Sequence, residues 1–182
     1  MSSSPPGPLV VRLERTIPAP PHNVYRAWLE PGLIRRWMAP GGLEVTRIEV
    51  DERVGGRYQV WHADSDSDVG GFECELVELV PDQRIVFRWG FAGPARGTGL
   101  VYDSLLTITL AEAPGGGTAL TLVHERLDEL AAAMPHVAQN VGPGWQLVLD
   151  KLAATTAASQ EPRFGMRAAA GGANRAGDRL GA

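Results

Sequence analysis

A change of hydrophobic period constrains this chain more than any other feature. Between residues 43 and 127, apolar side chains recur mainly at every second position. From Trp145 they recur at i, i+3, i+4 and i+7, through Val148, Leu149 and Leu152. A period of two sorts side chains onto the two faces of a strand, whereas a period near 3.6 draws one stripe along a helix. The first part therefore reads as six strands: LEVTRIEV (43–50), RYQVWH (57–62), FECELVELV (72–80), RIVFRWGF (84–91), YDSLLTITL (102–110) and TALTLVHERL (118–127). Asp-Glu, Pro-Asp and Pro-Gly-Gly-Gly separate several of them, and such residues suit bent backbone. Turns this short join antiparallel neighbours.

An earlier strand is read in LVVRLERTI (9–17), where Leu9, Val11, Leu13 and Ile17 share a side. The Pro-rich PAPPHN then suits a helix start, because the first helical turn does not need the donor that proline lacks. Val24, Ala27 and Trp28 mark one short helix; Leu33, Ile34 and Trp37 mark a second. LDELAAAM reads as a short helix, and Gly142-Pro143-Gly144 as the break before a long helix over 145–159. This order predicts an α+β helix-grip fold. A seven-stranded curved antiparallel sheet wraps around a long C-terminal helix, with two short helices between strands 1 and 2. A sheet curled round a helix leaves an internal cavity, and such cavities are default ligand sites.

The chain has 182 residues, of which 44% are apolar and 21% charged, and a net charge of -4. One domain is expected over residues 9–159, between a disordered N-terminus (1–8) and a disordered Ala/Gly/Arg tail (160–182). The acidic balance argues against nucleic acid as a partner. No run approaches the ~18 apolar residues of a membrane helix, so the expectation is a cytoplasmic protein without a membrane partner. The single cysteine, Cys74, has no internal disulfide partner.

Two features invite metal chemistry. In HADSDSDVGG (62–71), Asp64, Asp66, Asp68 and Glu75 fall at positions 1, 3, 5 and 12 of a calcium-type loop. Position 6, however, is Val69 where that loop needs glycine, and strands flank the run. A hairpin is the better reading. His62, Cys74 and His124 lack paired zinc-ligand spacing. No metal and no cofactor is expected.

Glu78 breaks the pattern. If Phe72, Cys74 and Leu76 face inward, strict alternation buries Glu78 as well, and a buried carboxylate must pair or have its pKa raised. A bulge near Val77 would turn Glu78 out and bring Leu79 in; that is the preferred reading. Without the bulge, Glu78 is the leading acid/base candidate, paired with Arg88 or Arg57. No nucleophile elbow is present, and Ser104 has no recognisable base.

Four stretches resemble the SRPBCC (START-related, pollen-allergen-like) proteins, and within them the bacterial homologues of the C-terminal domain of the heat-shock-protein-90 ATPase activator. They are RTIPAPPHNVYRAWLEPGLIRRWMAP, VGGRYQVW, ELVPDQRIVFRW and GPGWQLVLDKL. The resemblance spans roughly residues 9–158. It implies the helix-grip fold, but no particular activity, since one fold hosts many functions.

The leading expectation is a protein that binds a small hydrophobic molecule. Trp37, Tyr58, Val60, Phe72, Cys74, Phe87, Trp89, Tyr102, Leu106, His124 and Trp145 are its candidate ligand-binding residues. One alternative is a polyketide cyclase-, aromatase- or hydrolase-like enzyme using His124, Glu78, Tyr58 and Tyr102. A chaperone-cofactor or stress-response module is the other, and it is disfavoured because the chain lacks the additional N-terminal domain of eukaryotic activators. The family resemblance leaves room for a homodimer, although the sequence shows no clear patch. The resemblance implies that the acidic run lies at the cavity mouth, where it would disfavour anionic ligands.

Overall fold

The computed structural model describes residues 9–63, 68–92 and 102–159. Strand β1 (Val11–Ile17) leads into helices α1 (Pro21–Leu29) and α2 (Pro31–Trp37). Six strands follow: β2 (Glu44–Val50), β3 (Arg57–Ala63), β4 (Asp68–Val80), β5 (Arg84–Ala92), β6 (Tyr102–Glu112) and β7 (Thr118–Glu125). Helices α3 (Asp128–Ala133) and α4 (Pro135–Ala158) complete the described chain. The sheet order is β1-β7-β6-β5-β4-β3-β2, and each neighbouring pair is antiparallel. This is the expected α+β helix-grip fold. The proposed disordered ends, and Asp64 and Asp66 of the acidic run, lie outside the described residues.

Proline places the first two helices. Pro21 and Pro31 each occupy a first helical turn, where the missing N–H leaves no bond unmade. The apolar stripe of α1 then buries Val24, Ala27 and Trp28, and α2 buries Ile34 and Trp37. The Trp37 indole N–H donates to the Ala27 carbonyl at 3.0 Å, which ties the two helices together.

In β4 the bulge forms where Glu78 demanded it. Leu76 pairs with Phe87, but Glu78 pairs with Val86, so Val77 is the extra residue. Val77 is 45% exposed, and Leu79 packs against the core. The Glu78 side chain is likewise 45% exposed and lies 3.6 Å from Arg84. The alternative of Glu78 as a buried acid/base paired with Arg88 or Arg57 is thereby excluded. Arg88 instead pairs with Glu75 at 2.7 Å.

The C-terminal helix departs from expectation. It begins at Pro135, ten residues earlier than the motif at Trp145 indicates, and runs through Pro143. Pro143 removes only one backbone donor and is flanked by glycines that relieve crowding. Ala138 and Val141 extend the stripe of Trp145, Val148, Leu149, Leu152 and Thr156 at helical spacing, so burial favours one continuous helix. Leu149 and Leu152 are fully buried, each worth about 1.5–3 kcal/mol.

The core lies between the concave sheet face and the helices. Its indoles form a continuous series. Trp37 and Trp28 have ring centroids 4.7 Å apart, Trp28 and Trp145 5.9 Å, and Trp145 and Trp89 5.2 Å. No helix among the described residues is long and apolar enough to cross a membrane.

Candidate functional site

Near the open end of the sheet, α4 stands away from β3, β4 and β5 and leaves a cleft of about 560 Å³. Phe72, Trp89 and Phe91 line its sheet side. Val141, Gly144, Trp145 and Val148 line the helix side, and Met38, Pro40 and Leu43 form a rim. Gly70 and Gly71 present only backbone to the cleft from β4. A Cβ at Gly71 would lie 2.3 Å from the Val60 carbonyl oxygen of β3, so that glycine serves the close approach of the two strands. Among the described lining residues none is Asp, Glu, Lys or Arg.

Three of the sequence-proposed residues, Phe72, Trp89 and Trp145, line this cleft. Trp37, Tyr58, Val60, Phe87 and Leu106 lie in the packed core and do not line it. Cys74 is also buried, and burial pushes its thiol pKa up, so it stays protonated. Tyr102 begins β6 opposite Phe91, but its side chain is outside the described set. Met38, Leu43, His62, Met134, His136 and Asn140 also line the cleft but were not among the ligand-binding residues expected from the sequence. For His62 the signal was present, because it shares the phase of Tyr58 and Val60.

His124 sits behind the cleft wall in a buried chain of hydrogen bonds. Ser104 Oγ–H donates to the Trp89 carbonyl at 2.8 Å, which uses the only proton of that hydroxyl. The 2.7 Å contact between Ser104 Oγ and His124 Nε2 must then run from the imidazole to the hydroxyl. His124 Nδ1 is left as an acceptor, and Trp145 Nε1–H donates to it at 3.0 Å. All three bonds agree on one tautomer. Burial pulls the His124 pKa down to about 3, so the ring is neutral at ordinary pH. Ser104 thus has a histidine neighbour that the sequence did not reveal, but the polarity is wrong for a nucleophile and its base. In such a pair the serine donates to the imidazole, and a third group orients the ring. Here Trp145 fills the orienting position as a donor.

His62 lies on the cleft wall and is held differently. Its Nε2 is 2.6 Å from the Met38 carbonyl, which can only accept, so Nε2 carries the proton and Nδ1 is an acceptor. Burial lowers the His62 pKa, opposed by the bond to Met38. The rim after α2 is fixed by further side-chain donors. Lys151 Nζ donates to the carbonyls of Ala39 and Gly41 at 2.5 and 2.9 Å, and Arg35 Nη1 to that of Val45 at 2.7 Å. The single lysine of the chain therefore joins α4 to the rim.

Comparison with known proteins places this architecture. The family model described as Activator of Hsp90 ATPase homolog 1-like protein matches residues 18–157. The crystal structure of protein CV1439 from Chromobacterium violaceum is 35% identical, with a TM-score of 0.68, covering 81% of this chain and 96% of that one. Protein NE0264 from Nitrosomonas europaea is 20% identical, with a TM-score of 0.67, over 84% of this chain and 96% of its own. The AHSA1 (SPO3351) protein from Silicibacter pomeroyi is 22% identical, with a TM-score of 0.65, over 84% and 100%; these last two share the fold alone. No curated protein matches the chain. The family match covers most of the chain and agrees with the sheet order and helix placement, so this chain belongs to the Activator of Hsp90 ATPase homolog 1-like family.

Proposed function

We propose that the domain, taken as residues 9–159, is a cytoplasmic binding protein for a small, neutral, mainly apolar molecule held between β3–β5 and α4. One observation carries this reading: a cleft of about 560 Å³ walled by Phe72, Trp89, Phe91 and Trp145, with no charged side chain among its described lining residues. That volume suits a drug-sized ligand, and such sites are mostly apolar with a few placed polar groups. The net charge of -4 speaks against nucleic acid.

Binding fits the geometry better than acid–base catalysis. An enzyme needs titratable groups converging on substrate. Among its described lining residues the cleft offers His62 and His136 and no carboxylate, while Ser104 and His124 are committed to each other behind its wall. A chaperone-cofactor role draws support from the family description alone.

A panel of lipids, flavonoids and polyketide-like aromatics tests the proposal by tryptophan emission. At least one compound is expected to give a saturable change, lost when Val148→Trp fills the cleft. No saturable change with any compound would overturn it. Stimulation of the chaperone ATPase by the purified protein would favour the cofactor reading instead.

A further inference from the structure

We infer that the outer face of the sheet carries a second binding site, separate from the cleft, for a small zwitterion of the α-amino-acid type. Arg57 takes its carboxylate, Glu73 takes its ammonium group, and Gln59 bonds to both. This goes beyond the binding reading above and does not depend on it.

The site follows from the strand register. Tyr58, Val60, Cys74, Phe87 and Trp89 face the core, so their neighbours in the chain face away from it. On that outer side one row runs Arg57, Glu75, Arg88 across β3, β4 and β5. The next runs Gln59, Glu73, Gly90, Asp103 across β3 to β6. Gly90 contributes no side chain, which leaves the second row open between Glu73 and Asp103. Arg57, Gln59, Glu73, Glu75, Arg88 and Asp103 line a pocket of about 410 Å³, a volume within the range of small-molecule sites.

Half of these side chains are already paired. Arg88 Nη2 donates to Glu75 at 2.7 Å, and Arg88 Nε lies 3.8 Å from Asp103. The other three are not. Among the described residues, neither Arg57 nor Glu73 has an ion-pair partner, and the Gln59 side-chain amide has no hydrogen-bond partner. Glu49, opposite Gln59 on β2, is held by Arg47. Gln59 is only 8% exposed, and a polar group buried to that extent is costly unless it is bonded. Its place in the pocket wall points its unused bonds at an occupant.

The three free groups surround one corner of the register. Gln59 stands directly opposite Glu73 and two residues along β3 from Arg57. Arg57 and Glu73 are diagonal neighbours, with backbones about 7–8 Å apart, and form no ion pair with each other. A molecule with an ammonium and a carboxylate on one carbon fits between them. A simple cation would leave Arg57 facing a second positive charge, and a simple anion would leave Glu73 facing a second negative one. The guanidinium suits bidentate contact with a carboxylate, and the amide offers a donor to the carboxylate and an acceptor to the ammonium.

Nitrogen-15 spectra of the full chain test the site. At constant ionic strength it is titrated with L-alanine, L-alaninamide (no carboxylate) and N-acetyl-L-alanine (no ammonium). L-Alanine is expected to shift the amides of residues 57–59 and 73–75 saturably, with a dissociation constant of about 1 mM, since exposed ion pairs are individually weak. Each blocked form is expected to bind about tenfold more weakly, the loss of one charge-assisted pairing. Glu73→Gln should lower L-alanine binding to the level of N-acetyl-L-alanine, and Arg57→Gln to that of L-alaninamide. Gln59→Leu should weaken L-alanine while both charges remain. The same spectra, by their dispersion, show that each variant is folded. No saturable shift with L-alanine, a blocked form that binds as tightly, or shifts that survive both charge variants would overturn the site. Shifts at Phe72, Trp89 and Trp145 instead would put the probe in the cleft and overturn it equally. The cleft reading stands or falls separately, on the tryptophan-emission panel.

Discussion

His124 accepts from Trp145 and donates to Ser104, so each ring nitrogen has one partner and one role. A proton added to Nδ1 would face a donor inside an apolar wall. With a folded pKa near 3 and an unfolded value near 6.5, the unfolded chain takes up a proton in that window and the folded one does not. Stability should therefore fall as pH drops from 6.5 toward 3, by about 1.4 kcal/mol per pH unit from this group. Urea unfolding at pH 6.5, 5.5 and 4.5 should show that component in the parent and its loss in His124→Phe; parallel curves would contradict it. Tyr58 offers a second test. Its buried hydroxyl finds no partner among the described residues, so Tyr58→Phe should leave stability unchanged or raise it by up to about 1 kcal/mol. A clear loss would mean that the hydroxyl is satisfied. The inward phase of Tyr58 and His124 was legible from alternation. Their hydrogen bonding was not, because it depends on which residues of distant strands and of α4 meet them.

At the scale of elements, β3 and β4 approach closely where Gly71 faces Trp61. A methyl group there would meet the Val60 carbonyl at 2.3 Å and the Trp61 Cα at 2.9 Å. Backbone cannot step aside as a flexible side chain can, so Gly71→Ala should cost about 3 kcal/mol by denaturant unfolding. The rim after α2 behaves differently, because side chains rather than a ladder of strands hold its carbonyls. Lys151→Met should change global stability little, while amide exchange over residues 39–43 quickens; unchanged exchange would show that the lysine does not restrain the rim. The bulge in β4 was legible because a buried Glu78 is costly. The start of α4 was misread because Pro143 suggested a break. The phase of Ala138 and Val141 carries the helix across it.

Across the whole molecule, one buried cluster takes in side chains from α1, α2, α3, α4 and all seven strands. Such sharing favours a single cooperative transition. Unfolding followed by far-ultraviolet circular dichroism and by tryptophan emission should give coincident midpoints; an earlier emission change would mean that the helices leave the sheet first. The architecture could be read from the switch of period, since periodicity reports which faces are buried. The cleft could be read only in part. Its sheet wall follows alternation, but its rim comes from the loop after α2, where no period announces a direction. The same core has an optical consequence. Trp37, Trp28, Trp145 and Trp89 stand in series at ring separations of 4.7 to 5.9 Å, close enough for their excited states to mix. They act as one chromophore array rather than four independent probes. Exciton coupling should shape the near-ultraviolet dichroism of the folded state, and Trp28→Phe, which removes the second member, should divide the array and alter the whole band rather than subtract one component.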